Sequence, residues 1–376
     1  MVSIAETRRR YARGQVVDVL RPSTERVEAP CRYFGTCGGC QWQHQAYPSQ
    51  LRWKTELVRR QLQRVGHLVE PPVRPIIGAA NPWNYRNQGR FSLDAEGRLC
   101  FTRFQSRHLL PVDACMLMQT EIVDLMPRLQ GALPGGHQVA VRYGSRTGQY
   151  LVSPHLTALD GELITGQAEY EEILLGRRFR VSAPSFFQVN TRVDQRELPP
   201  GIDAPWVEHR RGEFSQADLL ALLVLDRLKL TGREFVVDGY SGVGTFALLA
   251  AERAERVVGI EEARSAVLDA EANAEGLDNV AFLQGKTEER LAEIDGRPDA
   301  VVLDPSRMGC APGVLTALTA LRPRVVVYVS CDPATLARDL ALLCAEGFAL
   351  EDVQPIDMFP QTHHIETVSV LRDTRS

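Results

Sequence analysis

Two segments near the carboxyl terminus carry side chains able to do covalent chemistry. VVVYVSCDP at 325–333 places Cys331 one residue past an apolar run. A thiol there becomes a nucleophile once its neighbours favour the thiolate. HHIETVSVL at 363–371 sets a carboxylate, Glu366, at the head of another apolar run, where it can accept a proton. DGYSGVGTF at 238–246 offers a ligand site rather than a reactive group. Gly242 and Gly244 let the backbone approach a ligand without a Cβ in the way, and a helix beginning just after them would present its amides. Glu261 closes the next apolar run about 20 residues on, which suits hydrogen bonds to ribose hydroxyls. These features fit either a dinucleotide or S-adenosylmethionine. Asp304-Pro305, in VVLDPSR, falls at the carboxyl end of a further run, where open α/β sheets bind their ligands.

A thiol narrows the choice, because nicotinamide dehydrogenases need none at that place. Carbon 5 of uracil is a poor nucleophile by itself. Addition of a thiolate to carbon 6 makes carbon 5 enolate-like, able to attack a sulfonium methyl. A base such as Glu366 must then remove the carbon 5 proton so that the thiol can leave.

A second group of reactive residues lies at the other end. Cys31, Cys37 and Cys40 are spaced C-x5-C-x2-C, and Cys115 follows much later. Clustered cysteines outside an oxidising compartment point to metal or catalysis. Four thiolates suit an iron–sulfur cluster or zinc equally well. Cys100 is a weaker fourth ligand, and Cys310 and Cys344 read as structural.

These groups need elements to position them. From about residue 214 helices and strands alternate: EFVVDGY, RVVGIE, NVAFLQG, DAVVLDP, RVVVYVS and TVSVLRD are strands with helices between most of them. That is a doubly wound α/β domain with a largely parallel sheet. Short alternating runs over 70–182 predict an antiparallel β region. A helix is expected over 48–66, with Leu51, Leu57, Val58 and Leu62 on one side and Arg52, Lys54, Arg59, Arg60 and Arg64 on or near the other. Residues 191–213 are polar and Pro-bearing and read as a long mobile loop.

The chain has 376 residues, 44% hydrophobic and 24% charged, the composition of a soluble globular protein of two or three domains. It has no secretory signal and no apolar run long enough for a membrane span, so the expected compartment is the cytoplasm. The net charge of −4 is unevenly spread. Residues 1–70 carry 12 Lys/Arg against 6 Asp/Glu, and residues 187–376 carry 19 against 31. A basic region joined to an acidic body suggests a polyanionic partner. Arg8, Arg9, Arg10, Arg13 and the basic helix face, interspersed with Tyr33, Phe34, Trp42 and Trp53, suit phosphates and unstacked bases.

SFFQVN (185–190), DGYSGVGTF, VVGIE, LDPSR, VSCDP and DMFPQTHHIETVSVL (357–371), in this order, resemble the segments of the bacterial RNA uracil-5 methyltransferases. YRNQGRF at 85–91 resembles a further family segment. The resemblance implies a Rossmann-like class I methyltransferase domain with a preceding antiparallel β domain and an N-terminal iron–sulfur segment. The corresponding divisions are 1–30, 31–69 (with Cys115), 70–184 and 185–376. Gln188, Tyr240, Gly242, Gly244, Thr245, Glu261 and Asp304 would bind S-adenosylmethionine, with Cys331 as nucleophile and Glu366 as base. Cys31, Cys37, Cys40 and Cys115 would hold a [4Fe–4S] cluster, and residues 12–29 are similar to the last strand of an RNA-binding TRAM barrel. Cluster-bearing relatives imply 23S ribosomal RNA as substrate, with a flipped uridine and a monomeric enzyme. Thr245 departs from the family's frequent Asn, and Lys286 from its Asn or Asp. The alternatives are transfer RNA as substrate, cytosine-5 methylation and an RNA-binding protein without chemistry. Asp304-Pro305-Ser306 lacks the second cysteine that the cytosine enzymes carry.

Overall fold

The computed structural model describes residues 1–9, 11–204, 207 and 211–375. Seven strands form the main sheet: Phe235–Gly239, Arg256–Glu261, Val280–Gln284, Ala300–Leu303, Val325–Ser330, Phe348–Ile356 and Glu366–Asp373. Their spatial order is third, second, first, fourth, fifth, seventh, sixth. The first five strands are parallel, and the last pairs antiparallel with both the fifth and the sixth. Strands such as VVVYVS are apolar at nearly every position because the sheet is covered on both faces. Val325, Val327 and Val329 belong to one core, with Val368 and Val370. Val326, Tyr328 and Leu371 belong to the other. The doubly wound expectation is met.

Gln216–Leu228 covers one face. Ser215 caps this helix in a capping box with Asp218, and the Asp218 carboxylate also accepts from Leu175 N–H and pairs with Arg146. A charge so buried is tolerated because each of its oxygens has a donor.

The central region is a five-stranded antiparallel sheet, ordered Leu109–Pro111, Leu99–Thr102, Gln88–Leu93, Gln138–Tyr143, Tyr150–Ser153. It also holds a helix, Thr120–Leu129, that the β reading of this region missed. Pro127 inside that helix disguised it, yet Ile122, Leu125, Met126 and Leu129 bury its apolar face.

The short strand expected from residue 12 is present as Ala12–Val16, paired antiparallel with Val2–Thr7. Two further expectations need correction. Residues 191–213 are not simply a loop, because Val193–Glu197 pairs antiparallel with Arg211–Ser215. Lys54 does not belong to a solvated basic face: its side chain is 0% exposed and ion-paired with Asp357. Around it, Arg52 pairs with Glu25, and Arg59 and Arg60 pair with Glu56. The helix itself spans Tyr47–Arg64, and its Val58 and Leu62 pack with Leu336, Ala337 and Leu340 of the α/β core. Arg10 lies outside the described residues. Among these, no helix is long and apolar enough to cross a membrane.

The capping box yields a stability prediction. Ser215→Ala removes one cap acceptor and should cost about 1–2 kcal/mol. It should be read as a lower thermal midpoint, and an unchanged midpoint would mean that the ion pair with Arg146 alone fixes this helix start.

Candidate active site and a cysteine-lined cavity

Strand register brings the reactive residues together. Ser330 pairs with Thr367, so the next rung sets Cys331 opposite Glu366. Leu303 pairs with Tyr328, and Asp304 emerges beside them at the same end of the sheet. The chain turns sharply after Cys331, because the Asp332 carboxylate accepts from Ala334 and Thr335 N–H and starts the Pro333–Ala345 helix.

The electrostatics of this end are dominated by carboxyls. Burial, then Glu366 and Asp304, push the Cys331 thiol up to about 11, while Arg307 opposes them by its charge and a hydrogen bond to the thiol. Burial, then Asp304, drives Glu366 well above the usual carboxyl range, again opposed by Arg307. Burial raises Asp304 to about 7, and Gln188 Nε2 donates to its Oδ2 at 3.3 Å. Asp238 rises to about 8 through burial, then Asp304 and Glu261. Its Oδ2 accepts from Ala247 N–H at 2.9 Å, whereas Oδ1 has no partner. Crowded buried carboxyls resist ionising together, so this site holds protons at a pH where ordinary carboxyls have lost them.

The glycine turn lies at the end of the first strand. Tyr240, Gly242 and Gly244 have φ of +73°, +55° and +87°. A Cβ on Gly244 would stand 2.9 Å from Leu248 Cδ1 and 3.0 Å from Phe282, whereas one on Gly242 would meet nothing. Gly244 is therefore required for packing, and Gly242 leaves room for a ligand. Glu261 accepts from Gly242 N–H at 3.0 Å and Ala263 N–H at 2.7 Å, so the carboxylate joins the first and second strand ends. Thr245 begins the following helix and is 9% exposed. Lys286 sits exposed at the third strand end.

Cys31, Cys37, Cys40 and Cys115 line one cavity of about 360 Å³, walled also by Tyr33 and Arg86. Burial pushes Cys40 up to about 12, reinforced by the other three thiols. Cys100 stays outside the cavity, buried and donating to Arg98 O. Among the described residues, no group of three or more His, Cys, Asp or Glu is arranged to hold a metal ion.

Three residues of the site were not singled out from sequence. Arg307 follows Asp304-Pro305-Ser306, and a cation close after a strand-end carboxyl was the available signal. Asp238 opens the glycine turn, and its apolar flanks foretold burial. Asn190, at φ +64°, donates to Met358 O at 3.2 Å, a contact that nothing local announces.

Comparison with known proteins places this site in a family. The profile of the tRNA (uracil-5-)-methyltransferases matches residues 223–374. An uncharacterized RNA methyltransferase of Thermosynechococcus vestitus is 34% identical over 98% of this chain and 90% of its own length. Another, from Gloeobacter violaceus, is 35% identical over 95% and 85%. The crystal structure of Pyrococcus abyssi tRNA (uracil-54, C5)-methyltransferase in complex with S-adenosyl-L-homocysteine has the same fold. It superposes with a TM-score of 0.70 at 22% identity, covering 99% of this chain and 91% of that one. The sheet order, the thiol opposite a carboxyl and these matches lead to one conclusion: the chain belongs to the RNA uracil-5 methyltransferase family, whose members are S-adenosylmethionine-dependent enzymes.

Proposed function

We propose that the enzyme methylates a uridine of 23S ribosomal RNA through a covalent adduct between Cys331 and carbon 6. The observation that carries the mechanism is the last rung of the ladder, Ser330 with Thr367, which brings Cys331 and Glu366 together just beyond it, close enough for the carboxyl to act on the thiol. S-adenosylmethionine supplies the methyl group when bound. Cys331 loses its proton and bonds to carbon 6, which makes carbon 5 the nucleophile toward the methyl. Glu366 takes the proton from carbon 5, the sulfur–carbon bond breaks, and the carbon 5–carbon 6 double bond returns. Its raised proton affinity suits a carboxylate that must accept a carbon-bound proton near neutral pH. Gln188, Tyr240, Gly242, Gly244, Thr245, Glu261 and Asp304 frame the donor site at adjacent strand ends.

The N-terminal part fits a [4Fe–4S] cluster held by Cys31, Cys37, Cys40 and Cys115. Support comes from four thiols on a single cavity. A cluster separates its thiolates by a core of iron and sulfide, so it needs them farther apart than one zinc ion does. The cluster would tie residue 31 to residue 115 and serve structure rather than redox. We further assign 1–30 and 31–69 to RNA contact, 70–184 to the central domain and 185–376 to methyl transfer. The exposed Trp53 supports contact with unstacked bases.

The reaction is tested with tritiated-methyl donor and unmodified 23S rRNA or transfer RNA transcripts. Methyl should enter the ribosomal RNA, and 5-fluorouridine RNA should form an adduct that Cys331→Ala abolishes. Methylation of transfer RNA alone would overturn the substrate, and a persistent adduct in Cys331→Ala would overturn the nucleophile. Arg307→Ala should move the pH dependence of Cys331 alkylation upward, because the lost cation favoured the thiolate. Glu366→Gln should move it downward. Mass spectrometry of the Cys331 peptide across pH checks both signs. Cys40→Ser should lose most of the protein's iron on anaerobic purification, as metal analysis would show; iron absent from the unmodified protein would refute the cluster.

A further inference from the structure

Glu366 is reached through a loop, 357–365, that has little regular structure of its own. Its backbone is instead satisfied from distant parts of the chain. Lys54 Nζ donates to Asp357 Oδ1 at 2.6 Å and to Phe359 O at 3.0 Å. Tyr47 Oη donates to Asp357 Oδ2 at 3.0 Å, and Tyr85 Oη to Pro360 O at 3.0 Å. Gln50 and Gln361 exchange hydrogen bonds: Gln50 Nε2 donates to Gln361 Oε1, and Gln361 N–H to Gln50 Oε1. Gln361 O in turn accepts from the N–H groups of Gln41 and Trp42 at 3.2 and 3.1 Å, immediately after Cys40. Gln361 has a φ of +67°, a left-handed conformation that a free loop of this sequence would seldom hold.

We propose that Lys54, Gln50 and Tyr85 are positioning residues for proton abstraction. They form a clamp by which the helix after the cysteine-bearing segment and the central region fix Glu366 against the carbon 5 proton. The inference rests on the reading of Glu366 as the base. Lys54 lies on a helix whose apolar face is already packed against the α/β core. An ion pair is not needed to hold that helix there, and the pair's partner belongs to the loop rather than to the core. Glu366 opposes Cys331 by register alone, but register fixes only its backbone. The direction of the loop before it depends on the groups that hold Asp357, Phe359, Pro360 and Gln361.

The clamp acts after methyl transfer. Forming the Cys331–carbon 6 bond and methylating carbon 5 need the thiol and the donor. Breaking that bond needs the carbon 5 proton to reach Glu366. A displaced Glu366 therefore leaves methylated RNA attached to the protein, whereas a general loss of structure slows attachment as well.

The test is single-turnover methylation of the unmodified 23S rRNA and transfer RNA transcripts by the full-length enzyme with tritiated-methyl donor. Label in free RNA and in a protein–RNA adduct stable on denaturing gels is followed separately. Lys54→Met, Tyr85→Phe and Glu366→Gln are compared with the unmodified enzyme, and thermal melting confirms folding of each. Tyr85→Phe removes a single hydroxyl and keeps the ring, so it reports even if Lys54→Met unfolds. Release of RNA from the adduct should slow about 10- to 100-fold in the clamp variants. Adduct formation and the KM for RNA should change less than about twofold. Equal slowing of formation and release, or a raised KM with normal release, would overturn the clamp. If Glu366→Gln traps adduct while both clamp variants release at the unmodified rate, the clamp falls and the base stands. If Glu366→Gln itself fails to trap adduct, the base assignment falls and takes the clamp with it.

Discussion

The site depends on the antiparallel insertion of Glu366–Asp373 between the fifth and sixth strands. Because side chains alternate, a slip of one residue would turn Glu366 away from Cys331 and exchange every neighbour in both cores. Val368 and Val370 are held in one core and Leu371 in the other. That alternation resists the slip more strongly than any contact of Glu366 could. The register is kept even though the hydroxyls of Thr367 and Ser369 are buried without partners.

The same end of the sheet collects charges that oppose one another. Asp238, Asp304 and Glu366 all have raised proton affinity, with burial as the leading cause. Arg307 is the cation that acts on both Glu366 and Cys331. Arg307 is exposed, and it favours the thiolate while burial still keeps Glu366 above the usual carboxyl range. Lys54 and Asp357 solve the burial problem differently, by pairing directly. Removing one partner of such a pair costs about 3–5 kcal/mol, so the placing of Asp357 on the loop before Glu366 ties that loop to the stability of the Tyr47–Arg64 helix.

Sequence revealed the α/β half well, because parallel strands buried on both faces read as short apolar runs with little ambiguity. Cys331, Glu366, Asp304 and the glycine turn were legible for the same reason: each ends or begins such a run. Cys31, Cys37 and Cys40 could be grouped by spacing and Cys115 joined them only through the family resemblance; in the fold all four line one cavity. Lys54 misled because a helix with several arginines reads as a solvated face, and a buried lysine is visible only through its partner 303 residues away. The ribbon of Val193–Glu197 with Arg211–Ser215 misled because both strands are polar and partly exposed. Their pairing is made by backbone, which leaves no hydrophobic period to detect.

A carboxyl at the head of a strand is aimed by the loop that leads into it, and a loop is by itself a poor anchor. The fold's answer is to satisfy the loop's peptide groups from elsewhere. Asn190 binds Met358 O, Tyr85 binds Pro360 O, and the segment after Cys40 binds Gln361 O. These partners come from the SFFQVN segment, the central region and the cysteine segment. The N-terminal half therefore bears directly on the loop before Glu366. It completes the hydrogen bonding of the catalytic loop, so loosening any one of the three segments weakens the hold on the same carboxylate.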